Sequence, residues 1–483
     1  MKNNLHRVIV PAVCVCIAAG VHLTQEFRFY NIESNDLFLY DLKDIWTRIQ
    51  MTGGLASMLA SFLTQFMRIP FAGAVIVTGL YMLVAYLAYK VLSRIHESGL
   101  MGGLAFLPAV FLFLCMENDY YRFQGHVAFV LMLSALCLYV HICRVKLRYL
   151  SGLLMIPVLY HAAGSVAMVF AVSAMLFEIL KGGLRSIAAV AYPALYAAVA
   201  AVYVECSLVN GWEHAVTPYM YYDWPSTYFF PIYAWAMLPA MILAAYLVSR
   251  LNVKASLVLP LAVSGLALSF LIAGNLYSQV HSRSYYRLLQ EQYWAETGDW
   301  DRIISTADRR QPVFLVSYLN LALANKGTLV QNFMHYNQQD LSSLMYPTPN
   351  LKTGFTMQST VYQAWDYHAA ARQAAFDANV VTSGNRNPRQ LQVLITSNAA
   401  LGADDVAEKY ISVLEKTLFY RDEARALKEN VGTVSVSLPH ADNYLRYDGI
   451  KGDMRDILEV NPSNVILSQF YQVYQILEKE VQR

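Results

Sequence analysis

The sequence predicts an all-α protein, in which a polytopic helical membrane domain of about nine spans precedes a soluble domain of α-helical repeats. The 483 residues are 56% hydrophobic and only 14% charged, whereas roughly a quarter of the residues in soluble proteins are charged. The long apolar runs end near residue 277, and the chain beyond it mixes charged and amide side chains as soluble domains do. We therefore expect a membrane domain over 1–277 and a soluble domain over 278–483.

The apolar runs of the first domain define its candidate spans, each near the roughly 20 residues that a crossing helix needs. They are 8–24, 70–90, 100–116, 127–143, 150–163, 165–180, 186–206, 231–249 and 255–277. The first follows Lys2 and Arg7, and we interpret it as a retained anchor, because later spans need an oriented start. The apolar stretch 150–180 is too long for one span, so we expect two short helices that meet near Gly164.

The positions of lysine and arginine orient the spans. These residues collect in alternate short connections, at 90–94, 144–148, 181–185 and 250–254. Since cationic connections stay in the cytoplasm, the N-terminus is predicted to be cytoplasmic. The other connections, 25–69, 117–126, 161–165 and 208–231, then face outward, and an odd number of spans also places the C-terminal domain outside.

The first outward loop, 25–69, contains a helical pattern of its own. Leu55, Leu59 and Phe62 recur at helical spacing between Gly53-Gly54 and Pro70. This spacing predicts an amphipathic helix on the outer membrane surface. The alternative is one long tilted span over 55–90, kinked at Pro70.

The soluble half repeats a helix–glycine–helix pattern. Gly298, Gly327 and Gly402 each separate two amphipathic segments, and a fourth pair without glycine is predicted around 365–368. The pattern resembles degenerate tetratricopeptide repeats, whose stacked helices usually present a concave surface to a peptide or a partner helix. The stretch 337–356 is expected to be a long loop.

Acidic side chains in the first outward loop suggest chemistry. Its carboxylates are Glu26, Glu33, Asp36, Asp41 and Asp44. An acid-bearing first outer loop that runs into surface helices resembles the GT-C class of integral-membrane glycosyltransferases. The resemblance implies that Asp36 or Glu26 acts as a general base or metal-orienting carboxylate, while an acceptor attacks a polyprenyl-phosphate-linked sugar. It leaves open which acid serves and whether a divalent metal takes part.

Arginines on the same side supply candidate phosphate ligands, because guanidinium groups match phosphate oxygens. They are Arg28, Arg68 and Arg122. The second outward loop adds Glu117 and Asp119 beside Arg122, which makes Asp119 a third candidate catalytic acid. The alternative for all these residues is an ordinary polar loop, in which the acids are solvated or paired with neighbouring arginines.

Several functions have no support in the sequence. A formal net charge of +2 and the lack of a lysine–arginine tract exclude nucleic acid as a partner. No phosphate-binding loop, dinucleotide fingerprint, nucleophile elbow or zinc-ligand spacing occurs. ATP-driven transport, redox cofactors and metalloprotease chemistry are therefore not expected.

Phrases such as GGLASMLASFLTQF and SYLNLALANKG are similar to an uncharacterised bacterial family of multi-pass inner-membrane proteins with helical-repeat tails. This resemblance implies the inner membrane, a periplasmic tail and no particular activity. Three functions follow from the sequence: a GT-C-like transferase using a polyprenyl-phosphate sugar, a membrane-anchored scaffold whose repeats bind a protein partner, and a transporter of lipid or solute. The lipid bilayer is a partner in each, and whether the protein is an enzyme stays open.

Overall fold

The computed structural model describes residues 2–97, 99–116, 118, 120–223, 230–250, 283–338, 343–345, 352–432 and 449–481. Within these ranges the regular structure is helical and contains no β-strand, so the predicted all-α class is confirmed. The chain divides into two compact units. The first comprises Met1–Ile32 and Asp41–His281, and the second comprises Glu33–Tyr40 and Ser282–Arg483.

Helices make up nearly all of the first unit. Before residue 251 they are α1 (Lys2–Glu33), α2 (Leu42–Gln50), α3 (Gly54–Thr64), α4 (Ala72–Ser93), α5 (Gly99–Leu104), α6 (Leu107–Cys115), α7 (Phe123–His141), α8 (Val145–Ala163), α9 (Ala167–Gly182), α10 (Ala191–Glu205), α11 (Gly211–Val216) and α12 (Phe230–Arg250). Short 3₁₀ helices span Gln65–Arg68, Gly183–Val190 and Pro218–Tyr221.

Four helical stretches of the described residues are long and apolar enough to cross a membrane. They are Ala72–Ser93, Phe123–His141, Ser186–Glu205 and Pro231–Arg250, and Met101–Cys115 is a shorter apolar stretch. The first unit therefore has the helices of a membrane protein. The count of about nine spans stays a prediction, and the predicted span 255–277 lies outside the described residues.

Gly164 divides the long apolar stretch 150–180 into two helices, as the sequence predicts. Its backbone has φ 90° and ψ −150°, a combination that residues other than glycine rarely adopt. The Gly164 amide donates to the Tyr160 carbonyl at 2.9 Å and closes α8. Helix α9 then begins at Ala167.

The helix predicted within 52–70 forms separately from the span that follows it. Helix α3 ends at Thr64, Phe71 has a left-handed φ of 69°, and α4 begins at Ala72. The alternative of one tilted helix over 55–90 is therefore wrong. Helix α3 packs against α7 and α8, and its small residues Ala56 and Ala60 are buried in that contact.

Helix α1 is longer than its apolar run, which corrects the predicted loop 25–69. Residues 24–33 continue the helix, so Glu26 and Arg28 lie on α1 and not in a loop. No glycine or proline interrupts this stretch, and Phe29 packs directly on Gly73 at the start of α4. Arg28 donates to the Met116 carbonyl inside the protein, so the helix can continue beyond the apolar run that defined the span.

Paired helices build the second unit. After residue 282 the described helices are α13 (Arg283–Thr297), α14 (Trp300–Thr306), α15 (Val313–Asn325), α16 (Leu329–Asn332), α17 (Lys352–Ala364), α18 (His368–Val380), α19 (Pro388–Ala400), α20 (Asp404–Leu414), α21 (Arg421–Asn430), α22 (Gly449–Val460) and α23 (Val465–Val481). The region predicted as a loop, 337–356, is helical from Lys352, while 339–342 and 346–351 lie outside the described residues.

Left-handed residues make the turns of the helix pairs, as predicted. Gly298, Gly327 and Gly402 have φ values of 75°, 70° and 72°. The pair without glycine, α17 and α18, turns at Asp366 with φ 58°, which is a residue type that tolerates this conformation. The predicted pattern of helix pairs joined by left-handed turns is therefore confirmed, whereas membership of the tetratricopeptide class stays a prediction.

Candidate functional site

The segment Glu33–Tyr40, which runs from the last residue of α1 toward α2, is part of the second unit. Leu37 and Leu39 are buried in an apolar cluster with residues of α18 to α21, such as Leu391 and Ile411. The Tyr40 amide donates to the Lys416 carbonyl at 2.7 Å. The helical unit thus holds the segment Glu33–Tyr40 by side-chain burial and by a main-chain hydrogen bond.

An ion-pair network fixes the first residue of this segment. Glu33 is 2% exposed, and its carboxylate accepts from Arg389 Nη2 at 2.6 Å and from the Tyr420 hydroxyl at 2.7 Å. Arg389 Nε also lies 3.4 Å from the Glu296 carboxylate. Charge-assisted bonds of this kind are roughly twice as strong as neutral ones. The guanidinium therefore joins two helices, α13 and α19, to the Glu33 carboxylate.

Local sequence places Arg389 at the first turn of α19. Asn387 caps this helix, and its side-chain oxygen accepts from the backbone amides of Arg389 and Gln390. Pro388 occupies the first helical position, where its fixed φ suits the turn. The cap fixes the helix start, and from this turn the Arg389 side chain reaches Glu33.

Asp36 lies in the middle of the anchored segment. Lys352 donates to the Ser34 hydroxyl at 3.1 Å and to the Asn35 side chain, and Leu37 is buried on the other side. Asp36 itself is half-exposed. Its Oδ1 faces Gly384, where an added Cβ would lie 3.7 Å away. The residues on both sides of Asp36 are fixed, and Asp36 itself is neither fully buried nor fully exposed.

A second acid in the helical unit titrates near neutral pH. Glu291 on α13 is fully buried, and Arg287 Nε lies 2.9 Å from its carboxylate. Burial raises the pKa of Glu291 to about 7, although the neighbouring Arg287 acts in the opposite direction. The charge on Glu291 therefore changes in the physiological range.

One end of the first unit gathers the connections that the sequence predicts to face outward. The Gly53 amide donates to the His161 carbonyl at 2.7 Å, and Gln124 donates to the Gly53 carbonyl at 3.1 Å. The Tyr221 hydroxyl donates to the Ala163 carbonyl at 2.6 Å, and the Arg122 amide to the Tyr221 carbonyl at 2.8 Å. Loops separated by long stretches of sequence therefore meet at this end, whereas the side of the membrane that they face stays a prediction.

The predicted phosphate ligands lie in the first unit. Arg28 is buried, and its Nη1 donates to the Met116 carbonyl at 2.8 Å. Arg122 Nη2 donates to the Met220 carbonyl at 2.5 Å, and its Nε lies 3.5 Å from Asp223. Arg68 ends the 3₁₀ helix after α3 and is half-buried. Arg28 is therefore committed to the fold, whereas Arg68 and Arg122 keep partial exposure.

Of the three predicted acids, Glu26 and Asp36 fall in different compact units. Glu26 lies half-buried on α1 in the first unit, and Asp36 belongs to the second unit. Asp119 lies outside the described residues. No cluster of three histidine, cysteine, aspartate or glutamate side chains suited to a metal ion occurs in the part of the chain that the structure describes, and the need for a divalent metal stays open.

The opposite end of the first unit contains a buried ion pair. Arg148 on α8 binds Glu178 on α9 through Nε at 2.5 Å and Nη2 at 2.9 Å, and the Tyr139 hydroxyl donates to the same carboxylate at 2.9 Å. Glu178 is buried. The fold therefore gives the Glu178 carboxylate a cationic partner inside the helix bundle.

Sequence reasoning misses Arg389, Tyr420 and Lys352, the partners of the 33–40 segment. Arg389 is 356 positions from Glu33, and no motif links residues so distant. The one available signal is that Pro388–Arg389 follows a helix cap, which predicts the helix start but not the partner of the side chain.

Comparisons with known proteins give a family but no activity. Searches of the curated proteins and of the solved structures return no match. The model of a family described as a family of unknown function (DUF6057) matches residues 3–483. Because the match covers nearly the whole sequence, both units lie within it. The chain belongs to the DUF6057 family.

Proposed function

We propose that this protein is a GT-C-type membrane glycosyltransferase that transfers a sugar from a polyprenyl-phosphate donor on the periplasmic face of a bacterial inner membrane. The observation that carries the proposal is the anchored segment Glu33–Tyr40, which presents a half-exposed Asp36 between fixed neighbours. Catalysis gains most from a group that is held in position before the substrate arrives. Asp36 takes the role of general base toward the acceptor.

The order of elements supports the same proposal. Helix α1 leads into an acidic segment, two short helices α2 and α3 follow, and α4 is a membrane-span candidate. This is the order expected for the GT-C class.

Arg68 and Arg122 stay the candidate phosphate ligands of the first unit. Arg28 is excluded from this role because its buried guanidinium already serves the Met116 carbonyl. Loss of the polyprenyl-phosphate leaving group builds negative charge, which a guanidinium stabilises. Glu26 remains the second candidate acid.

The test uses the full-length protein in liposomes with a panel of polyprenyl-phosphate-linked sugars, and it measures release of the polyprenyl phosphate. Removal of a general base lowers rates by about 100-fold to 10,000-fold, so Asp36→Asn should lose activity while its thermal unfolding stays unchanged. Asp301→Asn, at an exposed acid of the same unit, is the matched control. Full activity in Asp36→Asn, or release by no sugar donor in the panel, would count against the transferase.

A membrane-anchored binding protein is the second candidate, and one observation favours it. The helical unit holds the segment Glu33–Tyr40 through apolar burial, a main-chain hydrogen bond and the Glu33–Arg389 ion pair. Helical-repeat surfaces bind partner peptides in this manner. For this function Asp36→Asn should be silent, whereas charge reversal on exposed residues of α18 to α21 should release the bound protein in a pull-down from membranes.

A further inference from the structure

Three helices of the first unit each end with the same kind of side-chain pair, an aromatic residue and a cation. An aromatic residue precedes a cation by four positions in α4 (Tyr86 and Lys90), in α9 (Phe177 and Lys181) and in α12 (Tyr246 and Arg250). Each cation lies over the ring of its own helix, at 5.5, 4.9 and 5.1 Å from the ring centroid. Residues four apart share one helix face, so the sequence spacing alone produces the contact.

The three pairs lie at one end of the unit. The start of α9 is tied to Tyr221, because the Val166 amide donates to its hydroxyl at 3.2 Å. The start of α12 meets the same residue through Trp235, with ring centroids 6.2 Å apart. Both helices therefore run away from Tyr221. Helix α4 packs against α12. Arg94, directly after α4, is close enough to Lys181 at the end of α9 for their charges to interact.

This end, here called the cationic end, carries unpaired positive charge. Its described cations are Lys90, Arg94, Arg144, Lys146, Lys181 and Arg250, together with Arg148. Glu178 neutralises Arg148. Within the described ranges, none of the other six has a carboxylate at ion-pair distance. Glu97 is the exposed acid close in sequence to Arg94.

The chemistry of the pairs fits a lipid headgroup. An aromatic ring covers one side of the cation and its aliphatic stem, as happens where side chains reach from apolar surface to water. The other side of each ammonium or guanidinium stays available to an anion. Basic residues at the ends of membrane helices attract anionic phospholipids, and three pairs at one level form several such contacts.

We propose that the cationic end binds the phosphate headgroups of anionic phospholipids, with Tyr86–Lys90, Phe177–Lys181 and Tyr246–Arg250 each forming one headgroup site. The proposal depends on the membrane location of the first unit and not on the transferase activity. It commits to lipid as the source of the phosphate, because the pairs end apolar helices that are long enough to cross a bilayer.

The test places the full-length protein in nanodiscs of phosphatidylcholine with added phosphatidylglycerol and measures by mass spectrometry which lipids stay bound after mild delipidation. Wild-type protein should retain phosphatidylglycerol in excess over its bulk share. Each cation removed should lower this enrichment by about fivefold, so the triple variant Lys90→Gln, Lys181→Gln, Arg250→Gln should approach the bulk ratio. The matched control is Lys326→Gln, Arg302→Gln, Arg425→Gln, at exposed cations of the second unit.

Two further measurements do not need a variant that folds. Added sodium chloride should lower the enrichment of phosphatidylglycerol in the wild-type protein, since exposed charges are screened. Inorganic phosphate should not reproduce the effect of the lipid on thermal stability. Equal enrichment in the triple variant and the control, an enrichment insensitive to salt, or equal stabilisation by inorganic phosphate would each overturn the proposal.

Discussion

The Arg389→Gln variant tests how strongly the helical unit holds the 33–40 segment. It leaves the carboxylates of Glu33 and Glu296 without their shared cation, at sites where the side chains are 2% and 11% exposed. Removal of one partner from a buried ion pair costs about 3–5 kcal/mol. Since Tyr420 still donates to Glu33, we expect the lower end of this range, about 3 kcal/mol.

Hydrogen exchange at the Tyr40 amide is the direct assay, because this amide donates to the Lys416 carbonyl only while the segment is held. A cost of about 3 kcal/mol corresponds to an opening constant that rises about 100-fold. Arg425→Gln is the matched control. Its partner Asp422 is 93% exposed, and exposed pairs contribute about 0–1 kcal/mol.

The double variant Glu33→Gln, Arg389→Gln separates the pair from the packing. Because it removes both charges, it should be less open than the sum of the two single variants predicts. If the Tyr40 amide exchanges in Arg389→Gln at the rate seen in Arg425→Gln, the Glu33–Arg389 ion pair does not hold the 33–40 segment.

Three other predictions concern the fold. Leu39→Ala should destabilise the second unit by about 2–5 kcal/mol in chemical unfolding. Leu42, three positions later, is largely exposed, so Leu42→Ala should change the free energy of unfolding by less than about 0.5 kcal/mol. Equal effects of the two substitutions would contradict the burial of Leu39. The pKa of Glu291 in the folded protein is about 7, above its ordinary value of 4.5, so the folded state binds the proton more tightly than the unfolded state. Protonated Glu291 therefore adds about 3 kcal/mol to the free energy of unfolding. This contribution is complete below about pH 4.5 and is lost as the pH rises through about 7. Glu291→Gln should remove this pH dependence from unfolding curves, and an unchanged curve would show that another group titrates. Gly164→Ala should lower the thermal unfolding temperature of the first unit, since φ is 90° and the added Cβ would meet Met220, while Gly79→Ala, with no atom within 4 Å of the new Cβ, should not; a tolerated Gly164→Ala would mean that the break between α8 and α9 does not need glycine.

Features that depend on local chemistry are predicted well from the sequence. The break at Gly164 and the turns at Gly298, Gly327 and Gly402 follow from the left-handed backbone that glycine permits. In each case the residue type and its immediate neighbours decide the structure.

Features that depend on distant partners are not predicted. Hydropathy ends the first span at residue 24, yet α1 continues to Glu33, since Arg28 finds the Met116 carbonyl inside the protein. Glu33 is one of several loop acids in the sequence, and only the fold joins it to Arg389. The catalytic roles of Asp36 and Glu26 stay predictions for the same reason: a role depends on what surrounds the carboxylate when a substrate is bound.

The Glu33–Arg389 ion pair also sets a schedule for biosynthesis. Arg389 leaves the ribosome 356 residues after Glu33, which at roughly 5–20 residues per second takes roughly 20–70 s. During most of that interval Leu37 and Leu39 lack the helices α18 to α21 that bury them in the folded protein. A nascent chain that ends before α18 would leave both leucines without this cover.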